Sequence, residues 1–223
     1  MFDAPAYKES SYYLLRDWAR DVHDAIQVVP DFPKKDILFR NVLPAMGDPY
    51  TRKRIIECMS DPYTIYGWGV DRGVKVMGLE SRGFIFASAM AERMGVGLEV
   101  ARKAEPDGQG GWRCKLPGEL DIEVYDLEYG QAALAIPKGT FRPGDKVVIA
   151  DDLLATGGTA DAGARLVRRQ GAEVISFDFV VELADLGGRA RLAPDLVGKW
   201  LGRYDVVATE SSPTGGLHAL LTY

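Results

Sequence analysis

The chain of 223 residues is poor in the side chains that most often build metal and redox sites. Its two cysteines, Cys58 and Cys114, lie far apart with no CxxC spacing, so neither a disulfide scaffold nor a cysteine zinc site is implied and a reducing compartment is expected. Its two histidines, His23 and His218, sit near opposite ends, which leaves little for a histidine-based metal site or a Ser-His-Asp triad. Both are expected at solvated positions, and acid–base chemistry must lean on carboxylates. No apolar run approaches the ~20 residues of a membrane span, and the first eleven residues are polar, so a cytoplasmic protein with no membrane partner is expected. Basic clusters are absent beyond Arg52-Lys53-Arg54, and the formal charge is −5. That excludes a dedicated nucleic-acid face, although a local pocket can still take a small anion against the global charge.

What the chain does have is enough apolar content, 47%, to bury a full core in one domain over residues 1–223. Apolar positions at Leu14, Leu15, Trp18, Val22, Ile26 and Val29 have helical spacing, predicting an amphipathic helix in an amino-terminal hood of about residues 1–45. Pro30 and Pro33 then impose extended backbone before Ile37-Leu38-Phe39. A helix is predicted over Thr51 to Met59. A strand over Val74 to Leu79, a helix over Gly83 to Arg93 and a strand from Gly97 form a βαβ alternation, which implies a parallel sheet. Lys103 to Gly130 mixes glycine, proline and charge, and is predicted to be a long lid loop carrying short strands. Lys146 to Ala150 reads as a buried strand, Thr159 to Gln170 as a helix closed by Gly171, and Glu173 to Leu183 as a further strand. Segments Leu196 to Trp200 and Val206 to Ala208 are apolar, and the pairing of "ESSPTGGLHALLTY" is left open. The fold class is α/β, a central mostly parallel sheet flanked by helices.

The chemistry concentrates in "VVIADDLLATGGTA", Val147 to Ala160, at a strand-to-helix crossing where open α/β sheets bind ligands. Gly157 and Gly158 let the backbone curl so that N–H groups from Ala155 to Thr159, the Thr156 and Thr159 hydroxyls and the helix dipole converge on one phosphate. It is not a P-loop, because no G-x-x-x-x-G-K-[ST] occurs, and not a Rossmann fingerprint, because the acids precede the glycines. Asp151 and Asp152 are placed to accept hydrogen bonds from sugar hydroxyls, so the ligand expected is a ribose carrying a phosphate.

These residues resemble the phosphoribosyl-pyrophosphate (PRPP) signature of type I phosphoribosyltransferases, in the form found in the adenine phosphoribosyltransferase family. "DFPKKDILFRN" (Asp31 to Asn41), "GLESRGFIF" (Gly78 to Phe86), "LEYGQAAL" (Leu127 to Leu134) and "VVELADLGGRARLAP" (Val180 to Pro194) are similar to that family's segments in the same order. The resemblance covers about residues 30 to 195. It implies the type I phosphoribosyltransferase fold and displacement of pyrophosphate from PRPP by adenine to give AMP. Mg2+ is implied as cofactor, held mainly by PRPP and water with no direct protein ligand, and a homodimer is implied as the assembly.

The resemblance also implies roles. Glu80, Ser81, Arg82, Arg102, Lys103 and Lys115 would bind pyrophosphate, and the Glu80–Ser81 peptide bond is expected to be cis. Arg82 lies close to the purine in the family and is a catalytic candidate. Glu128, matching the carboxylate of the "EYG" segment, would handle the proton exchanged at the purine imidazole ring, delivered when the lid closes. Tyr129 would cover the ribose. Adenine would stack on Phe39, with Leu38, Arg40 and Leu183 completing the pocket. The sequence departs from the family where Ala104 to Cys114 intervene between Lys103 and Lys115, where Asn41 replaces the usual acid, and where both termini are extended. Another purine, or a PRPP- or nucleotide-binding regulator without catalysis, stays open as an alternative.

Overall fold

The computed structural model describes residues 20–32, 35, 38–65, 73–127, 130–196 and 217–223. An eight-stranded sheet runs in the order β10-β9-β8-β3-β4-β7-β6, with β5 paired to β4. Its strands are β3 (Val74–Leu79), β4 (Gly97–Pro106), β5 (Trp112–Arg113), β6 (Leu120–Asp126), β7 (Gln131–Pro137), β8 (Lys146–Leu154), β9 (Glu173–Glu182) and β10 (Leu217–Thr222). The pairings from β10 through β4 are parallel, whereas β4–β7 and β7–β6 are antiparallel. β8 and β9 are buried almost throughout, as parallel strands covered on both faces are. A separate antiparallel ribbon joins β1 (Gln27–Pro30) to β2 (Leu38–Asn41).

Helices cover both faces. α1 (Leu43–Gly47), α2 (Pro49–Ile65) and α3 (Gly83–Met94) bury Ile55, Tyr63, Phe86 and Met90 in one cluster with Val22, Ile26 and Val42. α4 (Gly158–Arg169) closes the other face through Ala160, Ala162, Ala164, Leu166 and Val167, packed on Leu79, Ile149 and Phe177. The small residues on α4 let it lie close to the sheet. α5 (Gly188–Leu192) follows β9.

Several elements differ from the sequence expectations, each for a local reason. Residues 20–25 are helical, but Val29, the last member of the predicted stripe, belongs to β1, where pairing with Phe39 supplies backbone partners. The helix expected over Thr51 to Met59 starts at Pro49, capped by Thr51 N–H donating to Asp48 Oδ1 (2.8 Å), and runs past Pro62 to Ile65. Beyond that proline, fully buried Tyr63 donates to Asp178 Oδ2 at 2.6 Å, a tertiary bond that local propensity does not encode. β8 continues through Asp151 and Asp152 to Leu154, because β9 pairs with it as far as Glu182.

The predicted lid loop over Lys103 to Gly130 does carry strands, which reach further than short inserts: β4 persists to Pro106, β5 pairs back on it, and β6 pairs with β7 from Leu120 to Asp126. The alternation of Leu120, Ile122 and Val124 is the signal for that strand. β10 resolves the open pairing of the last segment, lying parallel beside β9 with Ala219 opposite Phe179. Glu128, Tyr129, Ile37, residues 197–200 and Val206 to Ala208 lie outside the described residues. Among the described residues no helix is long and apolar enough to cross a membrane.

Candidate active site

β3 sits between β8 and β4. The chain leaves β3 through α3 toward one side of the sheet, and β8 leads through α4 toward the other. Their carboxyl ends therefore flank the crevice in which such sheets bind ligands. Gly78 pairs with Ala150, so the Glu80-Ser81-Arg82 turn and the Asp151-Asp152 pair meet across that crevice. Close approach requires Gly83, since a Cβ there would stand 2.6 Å from Ala150 O and 3.0 Å from Asp151 Oδ1. The Glu80–Ser81 peptide bond is cis, as expected from the sequence.

Because Asp151 and Asp152 are consecutive strand residues, their side chains leave opposite faces of the sheet. Asp152 is 3% exposed, and Arg82 Nη1 stands 2.9 Å from its Oδ2 as an ion pair without hydrogen-bond geometry. Asp151 Oδ1 accepts from the Asp152 N–H at 2.8 Å. Burial, reinforced by the neighbouring Asp152, raises the Asp151 carboxyl well above the ordinary range. Burial also raises the Asp152 carboxyl, with Arg82 opposing that rise. The pair is an electron-rich acceptor for hydroxyls and a place where added positive charge is favourable.

The glycine-rich turn follows. Gly157 has φ +76° and caps α4, and a Cβ on it would meet Gly188 O at 3.1 Å. Gly188 has the reciprocal constraint, since its Cβ would collide with Ala155 O and stand 2.7 Å from Leu154 Cδ1. Two glycines from distant segments thus let the start of α5 buttress the turn. Gly157 and Gly158 are buried, Ala155 and Thr159 are half-buried, and Thr156 is exposed. The Tyr125 hydroxyl stands 3.2 Å from Thr159 Oγ1, and Arg191 Nε stands 3.3 Å from Asp161 Oδ2 in the first turn of α4. The first N–H groups of a helix have no intrahelical acceptor, so this helix start can offer donors to an anion.

On the other side of β3, the Glu80 carboxylate accepts from the Lys103 N–H at 2.6 Å and from Arg102 Nε and Nη2 at 3.3 and 3.4 Å. Partial burial alone would raise this carboxyl, but Arg102 and the Lys103 N–H outweigh it and hold it below its usual value. The Glu80 side chain thus works on Arg102 and directs that cation. Lys103 and Lys115 are exposed. The insertion between them folds back on itself. Glu105 and Pro106 pair with Arg113 and Trp112, and Asp107 Oδ1 accepts from both Gln109 and Gly111 N–H at 2.8 Å. Cys114 Sγ consequently returns to 3.5 Å from Lys103 O, so the insertion does not carry Lys115 away from Lys103.

The candidate base pocket faces this crevice. Phe39 is half-buried and edge-on to Phe32 at 5.2 Å, and the Arg82 guanidinium lies 5.3 Å from its ring centroid. Leu38 is 55% exposed, free to contact a ligand. Leu183 is half-buried and its N–H donates to Leu154 O at 2.9 Å, tying it to the end of β8. The Arg40 side chain points elsewhere, with its guanidinium 4.1 Å over the Tyr223 ring. The sequence reading missed Phe32, Tyr125, Gly188 and Tyr223. The run "LGGRAR" resembles the family's segment, but nothing in it signals contact with Ala155.

The family model described as phosphoribosyl transferase domain matches residues 64–191. An adenine phosphoribosyltransferase of Anaeromyxobacter sp. (strain Fw109-5) is 43% identical over 176 residues, 79% of this chain and 92% of that protein. One from Roseobacter denitrificans is 44% identical over 173 residues, 78% and 90% of the two chains. The crystal structure of adenine phosphoribosyltransferase from Rhodothermus marinus superposes with a TM-score of 0.71 at 33% identity, covering 93% of this chain and 99% of that one. The Saccharomyces cerevisiae enzyme, solved with adenine and an imino-altritol bisphosphate, gives 0.70 at 30% identity, covering 92% and 99%. With the family model matching more than half of it and relatives above 40% identity aligned over most of it, this chain belongs to the adenine phosphoribosyltransferase family.

Proposed function

We propose that the protein transfers the phosphoribosyl group of PRPP to adenine, releasing AMP and pyrophosphate, in purine salvage. One observation carries the reading: Arg82 spans the crevice, 2.9 Å from Asp152 on the sugar side and 5.3 Å from the Phe39 ring on the base side. A donor subsite and an acceptor subsite therefore lie on either side of one cation, and such adjacency is what a group transfer between them needs.

In this reading Ala155 to Thr159 hold the 5′-phosphate and Asp151 and Asp152 accept from the ribose hydroxyls. The C1′–O bond to pyrophosphate breaks, its electron pair leaving with pyrophosphate, while purine N9 bonds C1′ and its proton passes to Glu128. Positive charge grows on the ribose and negative charge on the leaving group. Arg82, Arg102, Lys103, Lys115 and the backbone around Ser81 serve the leaving polyanion, with Glu80 orienting Arg102. Tyr129 covers the ribose and excludes water. Phe39, Leu38 and Leu183 enclose the base, and main-chain groups around Leu38 read its edge, where donor and acceptor order separates adenine from guanine.

Mg2+ fits this donor set. Asp151 and Asp152 are hard oxygen acceptors whose carboxyls are both raised, and Asp152 Oδ2 is buried without a hydrogen bond. Among the described residues no group of three or more His, Cys, Asp or Glu side chains is gathered to hold a metal, and PRPP and water would supply most of the coordination. Held mainly by PRPP and water, the ion would supply charge neutralisation for the leaving group. A cytoplasmic homodimer completes the proposal.

The test is purified protein with PRPP and Mg2+ against adenine, hypoxanthine, guanine and xanthine, following pyrophosphate release. Turnover with adenine above the others is expected. Turnover with another purine alone would reassign the acceptor, and none with any base would leave a PRPP-binding protein.

A further inference from the structure

We infer that Tyr223 is a positioning residue for the base pocket, its ring holding the Phe39-bearing strand from behind while its backbone ties down the segment that carries Leu183. The inference rests on the adenine reading of Phe39 and Leu183 above.

β2 pairs with β1 in a two-stranded ribbon separate from the main sheet. Such a ribbon is marginal alone, so its distance from the body is set by side-chain contacts. Strand alternation sends Phe39 and Arg40 to opposite faces. Phe39 faces Phe32 and Arg82. Arg40 lies with its guanidinium 4.1 Å from the centroid of Tyr223, and its Nε is buried with no hydrogen-bond partner. The cation has therefore given up water on this side, and the ring face takes its place, the condition in which a cation–π contact is strongest.

Tyr223 is fixed where Arg40 meets it. Its N–H donates to Glu182 O at 2.9 Å and its main-chain oxygen accepts from Ala184 N–H at 2.8 Å, bracketing Leu183. His23 stacks on its ring at 5.6 Å. One residue thus grips the strand carrying Phe39 through its ring and the chain on either side of Leu183 through its backbone. The spacing between those two walls decides how well a flat base fills the gap. The predicted donor groups, Asp151, Asp152 and the turn from Ala155 to Thr159, lie on β8 and the start of α4. Loss of the ring should therefore change base binding and spare PRPP binding.

The test compares wild type with Tyr223→Leu, which keeps apolar volume and backbone pairing, and Tyr223→Phe, which keeps the ring. Tyr223→Leu is expected to raise KM for adenine by about five- to thirtyfold, with KM for PRPP unchanged, and Tyr223→Phe to restore the wild-type value. If Tyr223→Leu does not fold, Arg40→Gln removes the same contact from the other side and is expected to raise adenine KM alone. An unchanged adenine KM, or equal rises in both KM values, overturns the inference. Absence of adenine turnover in wild type would instead overturn the functional reading.

Discussion

Arg82 Nη1 stands 2.9 Å from Asp152 Oδ2, although the two residues are 70 positions apart in sequence. The pair joins the turn after β3 to the end of β8 and gives Asp152, 3% exposed, a counter-ion that opposes the rise burial causes. Asp152→Asn removes the charge and leaves Arg82 without its counter-ion. With wild-type folding, kcat/KM for PRPP is expected to fall by about 30- to 150-fold, equivalent to roughly 2–3 kcal/mol. Steady-state kinetics with varied PRPP checks this.

Asp151 carries a folded-state pKa raised from its ordinary 3.8 by burial and by Asp152. A raised carboxyl favours the protonated form in the folded protein, so its stabilising contribution is complete below the ordinary value. That contribution is lost as pH climbs through the raised value. Asp151→Asn cannot ionise. Without ligand it is expected to melt above wild type at neutral pH, the gap closing as pH falls toward 4, while its PRPP affinity drops. Melting curves across pH for both proteins check the sign, and a gap that widens on acidification contradicts it.

Gly188→Ala puts a methyl group against Ala155 O and 2.7 Å from Leu154 Cδ1, with backbone on one side and a core residue on the other. The turn holding Ala155 to Thr159 must shift. A loss of about 1–3 kcal/mol of stability is expected, together with a raised KM for PRPP. Denaturant unfolding and kinetics read the two effects separately.

Glu128→Ala tests the base role. Turnover is expected to fall by about 10²–10⁴-fold with little change in KM for PRPP, because a general base acts on the proton in flight and not on donor binding. Wild-type turnover in this variant would remove Glu128 from the mechanism.

Much of the fold could be read along the chain because its determinants are local. Val74 to Leu79 is a strand at its predicted bounds. The glycine-rich turn lies at a strand-to-helix crossing because apolar β8 must end before amphipathic α4 begins. The cis bond at Glu80–Ser81 was legible only through resemblance. Helix periodicity misled at Val29, whose apolar spacing fits either element until a partner strand decides. In Lys103 to Gly130 the glycines and prolines mark turns between strands, as a loop carrying strands implies, but the extent of β6 depends on its pairing with β7.

The sequence by itself determined the central strands and helices and the glycine-rich turn with its adjacent acids, since each depends on residues within a few positions of one another. Only the tertiary structure decided that Arg82 reaches both Asp152 and Phe39, that Gly188 braces Ala155, that the insertion folds back to keep Cys114 beside Lys103, and that Tyr223 lies under Arg40. Each of these joins residues whose separation is set by sheet order and helix packing, and no pattern along the chain encodes that distance.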